Sequence, residues 1–200
     1  MAFFIACGII SNDIVRRETR AGVLAAFRLE TGAPRGGKLW IDVECWGHLA
    51  GTVAHHGARG RCVSVSGRLT QKTWRDKTSG DARCRYVVTA ADIDLLTARD
   101  QSTLTLLPNS ALLHGTIKSV LPARPAGSGT VATLRVTTGR AGSKTGRFDI
   151  AVEHWSPGDV NRPALRIRAD VRAIGGLRFT AGTDDVPGSF VLSARTLSHS

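Results

Sequence analysis

Three tryptophans lie on strand-like segments that are also rich in basic residues, Trp40 and Trp46 in LWIDVECWG and Trp74 in VSVSGRLTQKTW. Successive side chains of a strand point to opposite faces, and this alternation puts the three rings out of phase with the aliphatic residues around them. The aliphatic face is predicted to hold Ile41, Val43, Cys45, Val63, Val65 and Leu69. Exposed indole rings beside cations can stack unpaired nucleic-acid bases while the cations hold the phosphates. The alternative is that the rings cover a second hydrophobic layer or a subunit interface.

Several cations are in phase with these rings or close to them and are candidate phosphate contacts. Arg28 and Arg68 are expected to point outward on the tryptophan side, where pairing with Asp42 and Glu44 is their competing role. The candidates around Trp74 are Lys72, Arg75 and Lys77. In the second half the candidate stacking ring is Trp155, and the candidate phosphate contacts are Arg135, Arg166, Arg168 and Arg178. A domain–domain or dimer surface is the alternative for that second set.

The chain carries 27 basic and 16 acidic residues, which gives a net charge of +11 and a pI near 10.7. Residues 1–100 hold 15 basic and 10 acidic groups and residues 101–200 hold 12 and 6, so the halves carry +5 and +6. This even distribution excludes a localised basic tail. A field of this sign favours a polyanionic partner such as nucleic acid or an anionic membrane. No apolar run approaches the ~18–20 residues of a membrane span, so we expect a soluble intracellular protein.

The sequence offers no arrangement typical of a metal site or a catalytic centre. The cysteines lack CxxC spacing and the histidines do not cluster with them, which favours buried thiols in a reducing cytosol over zinc or disulfides. The N-terminal MAFFIACGII has no basic n-region and is predicted to be a strand rather than a signal peptide. No Ser-His-Asp order, metal-like carboxylate pair or phosphate-binding glycine loop is convincing. We therefore predict a cytoplasmic binding protein that is not an enzyme and needs no cofactor.

The composition, rich in Val, Thr and Gly with short alternating runs, predicts an all-β chain. Its two halves look like diverged copies. Matched positions, 107 to 109 apart, are Arg28 with Arg135, Glu44–Cys45–Trp46 with Glu153–His154–Trp155, and Gly67 with Gly175. Each copy has strand-like runs that suit a small five-stranded barrel. We expect a first domain at residues 1–97, a linker at 98–110 and a second, diverged domain at 111–200.

The two copies are expected to be unequal. Residues 49–55 are predicted to form a short helix that ends at Gly57, whereas the corresponding stretch of the second copy is shorter and broken by proline. Phe148 and Phe179 are in phase with aliphatic residues, which predicts that both belong to the core of the second copy. Either Arg147 or Asp149 takes the place of Trp40 there. The first domain is therefore expected to do most of the stacking.

Residues 3–97 closely resemble the core domain of the bacterial single-stranded DNA-binding proteins, the SSB family. The resemblance rests on CGIISND, GVLAAFRLET, WIDVECWGHLA, RGRCVSVSGRLTQKTWRD and YVVTAADIDLL, which are specific in combination. It implies an OB-fold in which Trp40, Trp46 and Trp74 fall on matching base-stacking positions. A fourth stacking aromatic is expected between the second and third strands and is absent. That loop, TGAPRGGK, offers instead Arg35 and Lys38, which can hold phosphate.

Residues 111–200 resemble a second, degenerate OB domain, an arrangement similar to that of the two-domain SSBs. Because the family binds with four OB domains, the resemblance implies a homodimer. The family's flexible acidic tail with an Asp-rich, Pro-Phe tip has no counterpart, since the chain ends RTLSHS. Protein partners recruited through such a tip are therefore not expected, and a specialised role on a mobile element, phage or plasmid becomes plausible.

These observations together predict a sequence-nonspecific single-stranded DNA-binding protein built from two OB domains. It would protect single strands in replication, recombination, repair or DNA transfer. The first alternative is an OB-fold scaffold of a replication or conjugation complex whose main ligand is protein. An RNA-binding OB protein is the second alternative, and an enzyme such as a nuclease is the third.

Overall fold

A computed structural model describes residues 1–34, 36–96, 108–138, 147–157, 165–180 and 189–199. The chain divides into two compact units, one formed by Phe3–Asn109 and the other by Ser110–Ser200 with Met1 and Ala2. Both units consist almost entirely of strands, which confirms the predicted all-β class. Among the described residues, no helix combines the length and the apolar character that a membrane span needs.

The first unit is a closed barrel with one short helix. Its elements are β1 (Ala2–Ile10), β2 (Val15–Thr19), β3 (Gly22–Gly32), β4 (Lys38–Trp46), α1 (His48–His56), β5 (Cys62–Arg75) and β6 (Ala82–Leu95). β1 pairs with both β3 and β5, β3 pairs with β4, and β5 pairs with β6, all antiparallel. The parallel pairing of β4 with β6 closes the ring. β2 extends β3 as an antiparallel neighbour outside that ring.

The second unit repeats this plan. Its strands are β7 (Ser110–Ala126), β8 (Gly129–Thr138), β9 (Phe148–Pro157), β10 (Asp170–Thr180) and β11 (Ser189–His199). β7 pairs with β8 and β10, β8 with β9, and β10 with β11, all antiparallel, and β9 pairs with β11 in parallel. The strand order and directions match those of the first barrel, so each unit has the five-stranded topology of an OB-fold.

A glycine at the same position of each barrel marks a close approach between strands. The register of β5 with β6 shifts at Gly67, and that of β10 with β11 shifts at Gly175. A Cβ atom on Gly67 would lie 2.2 Å from the carbonyl oxygen of Thr89, and one on Gly175 would lie 2.0 Å from that of Ser193. Only glycine fits such a contact with backbone. The matched bulges support the duplication that the sequence predicted.

The core of the first barrel contains the residues that alternation assigned to it. Ile41, Val43, Cys45, Val63, Val65 and Leu69 are all buried. Burial raises the pKa of the Cys45 thiol to about 12, so this cysteine stays protonated and inert. The predicted helix is confirmed as α1, and the backbone N–H of Gly57 closes it by donating to the Val53 carbonyl at 2.8 Å.

Two predictions for the second unit had different outcomes. Phe148 is buried, as predicted. The prediction for Phe179 is wrong, because this ring is 55% exposed and meets Phe190 edge to face at a centroid distance of 5.7 Å. Phe179 is the penultimate residue of β10. Alternation gives the side of a strand to which a residue points, but not whether the core extends to that level.

The segment between the units is described only at its end. Residues 97–107, which include most of the predicted linker, lie outside the described residues. Asn109 is buried, and both its backbone N–H and its side-chain amide donate to the Gly32 carbonyl, at 3.0 and 2.8 Å. This position is therefore packed against the first barrel. The domain boundaries at 97 and 110 stay predictions.

Candidate nucleic-acid interface

The outward sides of β3, β4, β5 and β6 form one surface, which we call the tryptophan face after Trp40, Trp46 and Trp74. Side chains directly opposite each other on paired strands lie on the same side of a sheet. The register places Trp40 opposite Glu30 and Trp74 opposite Arg83. Trp40 and Trp74 are 49% and 47% exposed, whereas Trp46 is half-buried. Two of the three rings thus offer a free face for stacking, and the third offers part of one.

The cations of this face are held by carboxylates. Asp42 lies between two arginines, with Oδ1 3.2 Å from Nε of Arg28 and Oδ2 3.3 Å from Nη1 of Arg85. Both arginine side chains remain more than half exposed. The competing role that the sequence raised for Arg28, pairing with Asp42, is therefore present in the structure.

Glu44 is the most enclosed charge of the tryptophan face, at 5% exposure. Both of its carboxylate oxygens accept from Nζ of Lys72, at 2.6 and 2.7 Å, and Nη2 of Arg85 is 3.9 Å away. A buried carboxylate requires such compensation. Lys72 therefore has a structural role as the counter-ion of Glu44, in addition to the phosphate contact predicted for it.

Glu30 orients the ring of Trp40. Its carboxylate accepts from Nε1 of the indole at 3.2 Å and pairs with Nζ of Lys38 at 2.5 Å. A ring held by its edge keeps its π-face available. Lys38 is thus placed beside the Trp40 ring, and the phosphate contact predicted for it stays a prediction. Arg35, predicted from the same loop, lies outside the described residues.

Two arginines of β6 belong to this face and were not among the predicted contacts. Arg85 is opposite Lys72 and Arg83 is opposite Trp74. The Cζ atom of Arg85 lies 6.0 Å from the centre of the Trp74 ring, at the outer limit of a cation–π contact. The signal in the sequence was the alternation Arg83–Cys84–Arg85, which puts both arginines on one side of a strand.

The remaining predicted cations of the first domain are distributed unequally. The side chain of Arg68 is exposed on the tryptophan face, opposite Thr89, and makes no ion pair or hydrogen bond with any described residue. Arg75 points to the other side of the β5–β6 ribbon from Trp74 and donates to the Gly80 carbonyl at 3.3 Å. Lys77 lies in the turn beyond it. The structure thus places Arg68 on the tryptophan face, but not Arg75.

A cavity of about 280 Å³ opens on the same side of the barrel. Its walls include the aliphatic side chains of Val15 and Leu24 and the ion pairs of Asp42 with Arg28 and Arg85. Leu24 is the cross-strand neighbour of Trp46. The cavity thus combines an apolar wall with charged groups of both signs.

The second unit presents Trp155 in a different setting. The ring is 39% exposed, and its Nε1 donates to the Ala126 carbonyl at 3.3 Å. A Cβ atom on Gly129 would lie 2.9 Å from the ring, and Val131, directly opposite, is buried. Trp155 thus packs on its own barrel with one side. It occupies the place of Trp46, since Leu24 faces Trp46 as Val131 faces Trp155.

Carboxylates also hold the cations of the second unit. Glu153 pairs with Arg178 at 2.6 Å and with Arg124 at 3.0 Å, and Asp149 pairs with Lys118 at 2.6 Å. Burial alone would raise the pKa of Glu153, but the hydrogen bond and charge of Arg178, followed by those of Arg124, lower it overall. The pKa of Asp149 is lowered in the same way, mainly by Lys118 and the Thr137 hydroxyl against the effect of burial.

The register also settles which residue replaces Trp40 in the second unit. Thr137, the counterpart of Glu30, is opposite Asp149, so Asp149 and not Arg147 occupies that place. Arg135 points outward opposite Ala151, and its charge acts on Asp149. The counterpart of Trp74 falls within residues 181–188, outside the described residues.

Arg166 and Arg168 were predicted to accompany Trp155, but the structure places them elsewhere. They lie in the turn before β10, where the backbone N–H of Arg168 donates to the Ile117 carbonyl in the middle of β7 at 2.8 Å. Trp155 contacts the far end of β7 at Ala126. The two arginines therefore do not share a surface patch with this ring.

Residues 1–96 match the model of the single-strand binding protein family. These residues, 96 of the 200 in the chain, resemble that family. The match covers the whole first barrel, including every residue that we assign to the tryptophan face. The family domain thus coincides with the part of the chain that carries the exposed indole rings.

Two curated proteins resemble this domain in sequence. Single-stranded DNA-binding protein 1 of Chlorobaculum tepidum is 30% identical over 102 residues, which are 46% of this chain and 63% of that protein. Single-stranded DNA-binding protein 2 of Nostoc sp. strain PCC 7120 is 33% identical over 73 residues, 36% of this chain and 58% of that protein. The chain therefore spans about three fifths of the length of the curated relatives it matches.

A solved structure resembles the chain along its whole length. The wild-type single-stranded DNA-binding protein from Thermus aquaticus matches with a TM-score of 0.72 at 18% identity, covering 100% of this chain and 93% of that one. At this identity the likeness concerns the fold alone. Together with the repeated topology, it establishes two OB-fold domains, of which only the first shows the family in its sequence.

Proposed function

We propose that the protein binds single-stranded DNA without base-sequence preference, mainly through the tryptophan face of its first domain. The observation that carries this proposal is the coincidence of the family match at residues 1–96 with a face on which Trp40 and Trp74 are about half exposed among cations. Stacking on an indole is open to every base because every base has a π-face. Trp46 and Trp155, with less free ring surface, contribute less.

The cations supply the electrostatic part of binding. Arg28, Arg85 and Lys72 are paired with Asp42 and Glu44 but remain 44–57% exposed, so a phosphate can reach them without unfolding the face. Arg68 is available as it stands. Each phosphate that the protein neutralises releases condensed counterions, which gives a salt slope of about −0.7 per contact on single strands. Affinity is therefore expected to fall steeply as salt is added.

The carboxylates of this face restrain the affinity. Asp42 and Glu44 compete with phosphate for the same cations, and they repel a strand wherever their partners turn away. A face built in this way holds DNA but releases it at moderate salt. Such behaviour suits a protein that covers single strands temporarily during replication, recombination, repair or DNA transfer.

The test is intrinsic tryptophan fluorescence during titration with oligo(dT) of increasing length at low and moderate salt. We expect strong quenching that saturates with length and weakens with salt. A folded protein whose fluorescence does not respond would refute stacking and favour a protein ligand. Competition between poly(dT) and poly(U) of equal length then distinguishes a DNA-binding from an RNA-binding protein.

The assembly proposed for this function is a homodimer that presents four OB domains. It follows from the four domains with which the family binds, and exposed apolar residues such as Ile5 on β1, at 50% exposure, are consistent with a further interface. Sedimentation equilibrium tests it, since a monomer at micromolar concentration contradicts the proposal. The proposed compartment is the cytoplasm, in association with DNA, because all four cysteines are free thiols.

A further inference from the structure

The first barrel carries a strand outside its closed ring. β2 pairs with β3 along one side, and among the described residues no strand pairs with its other side. All five residues of β2 are exposed. A strand in this position presents unpaired backbone N–H and C=O groups, to which another extended chain can add. We call this side of β2 the open edge.

A hydrogen bond of β3 shows which backbone groups of β2 lie along the open edge. The carbonyl of Val23 accepts from the backbone N–H of Gly47, the residue after β4, at 3.1 Å, so Val23 turns its backbone groups away from β2. Glu18 is opposite Val23. Residue pairs of an antiparallel ladder alternate between hydrogen-bonded and non-hydrogen-bonded, so Glu18 and Arg16 turn their N–H and C=O groups to the open edge. The edge thus offers two donors and two acceptors.

The second barrel has a proline at the matching position. The outer part of β7 runs beside β8 as β2 runs beside β3. From the match of Leu24 with Val131, the counterpart of Glu18 is Pro125. Proline has no N–H to donate, and the register of β7 with β8 shifts just before it. Proline and irregular pairing prevent strands from adding to an edge. The pairing of β2 with β3 has neither, so the first barrel leaves open an edge that the second one blocks.

The charges beside the open edge favour an acidic partner. β2 and the turn that follows it carry three arginines and one glutamate, a net charge of +2. The carboxylate of Glu18 is held by Arg16 at 3.1 Å. Arg17 and Arg20 make no ion pair or side-chain hydrogen bond with any described residue. The other carboxylate of this stretch, Asp13, precedes β2 and lies at the end away from the turn. Two guanidinium groups are therefore available to carboxylates of a partner.

An apolar contact is available beside the same edge. Val15 is 41% exposed and lines, with Arg17 and Leu24, the cavity of about 280 Å³. The carboxylates of this cavity, Asp42 and Glu44, are already paired with cations of the tryptophan face. Alternate side chains of an added strand point to one side, so one of them can contact Val15 and the next on that side Arg17. In strand addition the main chain gives affinity and such alternate side chains give specificity.

We propose that the open edge of β2 binds an extended acidic peptide segment of a partner protein by strand addition. The backbone groups of Arg16 and Glu18 hold the main chain of the peptide, and Arg17 and Arg20 hold its carboxylates. This interaction is additional to single-stranded DNA binding and does not depend on it. A second copy of this chain is a poorer occupant, because its own β2 carries the same net positive charge.

The test measures binding of a short fluorescent peptide of alternating glutamate and valine to the protein by fluorescence anisotropy. A control peptide has the same sequence and charge, but the backbone amides along its centre are N-methylated. We expect the control to bind at least roughly tenfold more weakly, because it cannot donate its backbone hydrogen bonds to the edge. A peptide with lysine in place of glutamate should not bind.

A substitution that copies the second barrel separates the backbone from the charge. Glu18→Pro removes the N–H at the open edge and also removes a negative charge. Charge alone predicts tighter binding of an acidic peptide, whereas loss of the donor predicts roughly tenfold weaker binding. Glu18→Gln removes the same charge but keeps the N–H, and should bind at least as tightly as the wild type. Arg17→Gln should weaken binding several-fold. Thermal melting checks that each variant is folded, and the N-methylated peptide tests the wild type even if Glu18→Pro does not fold.

Four results overturn the proposal. The first is that the acidic peptide does not bind, and the second is that the normal and the N-methylated peptides bind equally well. The third is a folded Glu18→Pro variant with the peptide affinity of Glu18→Gln. The fourth is a Glu18→Pro variant that keeps its peptide affinity but changes its oligomeric state or its affinity for oligo(dT). In that case the edge joins two copies of the chain or belongs to the DNA surface.

Discussion

The two barrels share their framework but differ in what their outward faces carry. Each has a glycine at the same strand bulge, and each fixes its first strand with a threonine. Thr31 donates to the Cys7 carbonyl at 2.7 Å, and its counterpart Thr138 donates to the His114 carbonyl at 3.2 Å. These contacts depend on the fold alone, so both copies retain them.

The ion pairs of the two faces are partly retained and partly changed. Glu44 and Glu153 occupy matching places, and each is held by a cation from another strand of its own barrel, Lys72 on β5 in the first and Arg178 on β10 in the second. The aromatic side chains differ more, since Asp149 stands where the first barrel has Trp40. An enclosed glutamate with its counter-ion is therefore part of the barrel, whereas the exposed rings are the part that specialises one domain for stacking.

The largest expected effect tests the shared framework. Gly67→Ala and Gly175→Ala each introduce a methyl group within 2.2 Å of a backbone carbonyl oxygen, which cannot move aside as a side chain would. We expect each to lower the free energy of unfolding of its own domain by about 3 kcal/mol or more. Calorimetry together with circular dichroism would measure this loss of stability in each variant.

A glycine without such a contact provides the control for that comparison. Gly51 lies inside α1, and a Cβ atom there meets nothing within 4 Å. Gly51→Ala should therefore stabilise the first domain by up to ~1 kcal/mol through helix propensity. If Gly67→Ala lowers the free energy of unfolding but Gly175→Ala does not, the two barrels do not share the requirement for glycine at this bulge.

The second prediction contrasts the rings of the two domains. Trp74→Ala should weaken binding of oligo(dT) by ~1–3 kcal/mol, roughly 5- to 150-fold, and leave the thermal midpoint nearly unchanged because the ring is 47% exposed. Trp155→Ala should lower the thermal midpoint and leave the affinity for oligo(dT) nearly unchanged, because that ring packs on Gly129 and Val131. Fluorescence titration and thermal melting of both variants decide the matter, and equal losses of affinity would make the domains functionally equivalent.

Alternation in the sequence was sufficient to predict the tryptophan face, because it depends only on neighbours along a strand. Trp40 and Trp74 are exposed, and Ile41 and Leu69 are buried, as this period requires. The helix after β4 was also predictable from local signals, since Gly57 ends it. Local patterns therefore gave the elements and the side to which their residues point.

The interactions across the face could not be derived in this way. Lys72 and Glu44 are 28 positions apart and meet only because the barrel closes with one particular register. Arg85 was missed because its proximity to Asp42 depends on the same closure, over 43 positions. The exposure of Phe179 was missed because a strand can extend beyond the core it helps to form. Barrel closure and strand length are properties of the whole domain.

The third prediction makes the first barrel resemble the second at one position. Asp42 is opposite Arg28, and Ala151 is opposite the matching Arg135. Asp42→Ala should release Arg28 and Arg85 toward phosphate, so we expect several-fold tighter binding of oligo(dT) at low salt and a steeper salt slope. The lost exposed pairs should cost at most ~1 kcal/mol of stability.

Asp81 supplies the matched control for the loss of one negative charge. It lies at the β5–β6 turn, 4.0 Å from Arg83, and both side chains are more than half exposed. Asp81→Ala should change affinity much less than Asp42→Ala at equal net charge. Weaker binding in Asp42→Ala would mean that this carboxylate positions the arginines for phosphate rather than competing with it.

The smallest expected effect is the pH dependence of the second domain. The pKa of Glu153 is lowered in the folded state, chiefly by Arg178 once the opposing effect of burial is overcome. A lowered folded pKa stabilises the domain fully above the unfolded value, about 4.3, and the contribution is lost as the pH falls through the folded pKa. Glu153→Gln should therefore lower the melting temperature at pH 7, and the difference from the wild type should shrink below about pH 4.

Glu18→Gln, in an exposed pair with Arg16, is the control and should show almost no difference at either pH. If the difference in melting temperature between Glu153→Gln and the wild type stays constant from pH 7 to pH 3, the side chain stabilises β9 by packing and its charge does not contribute.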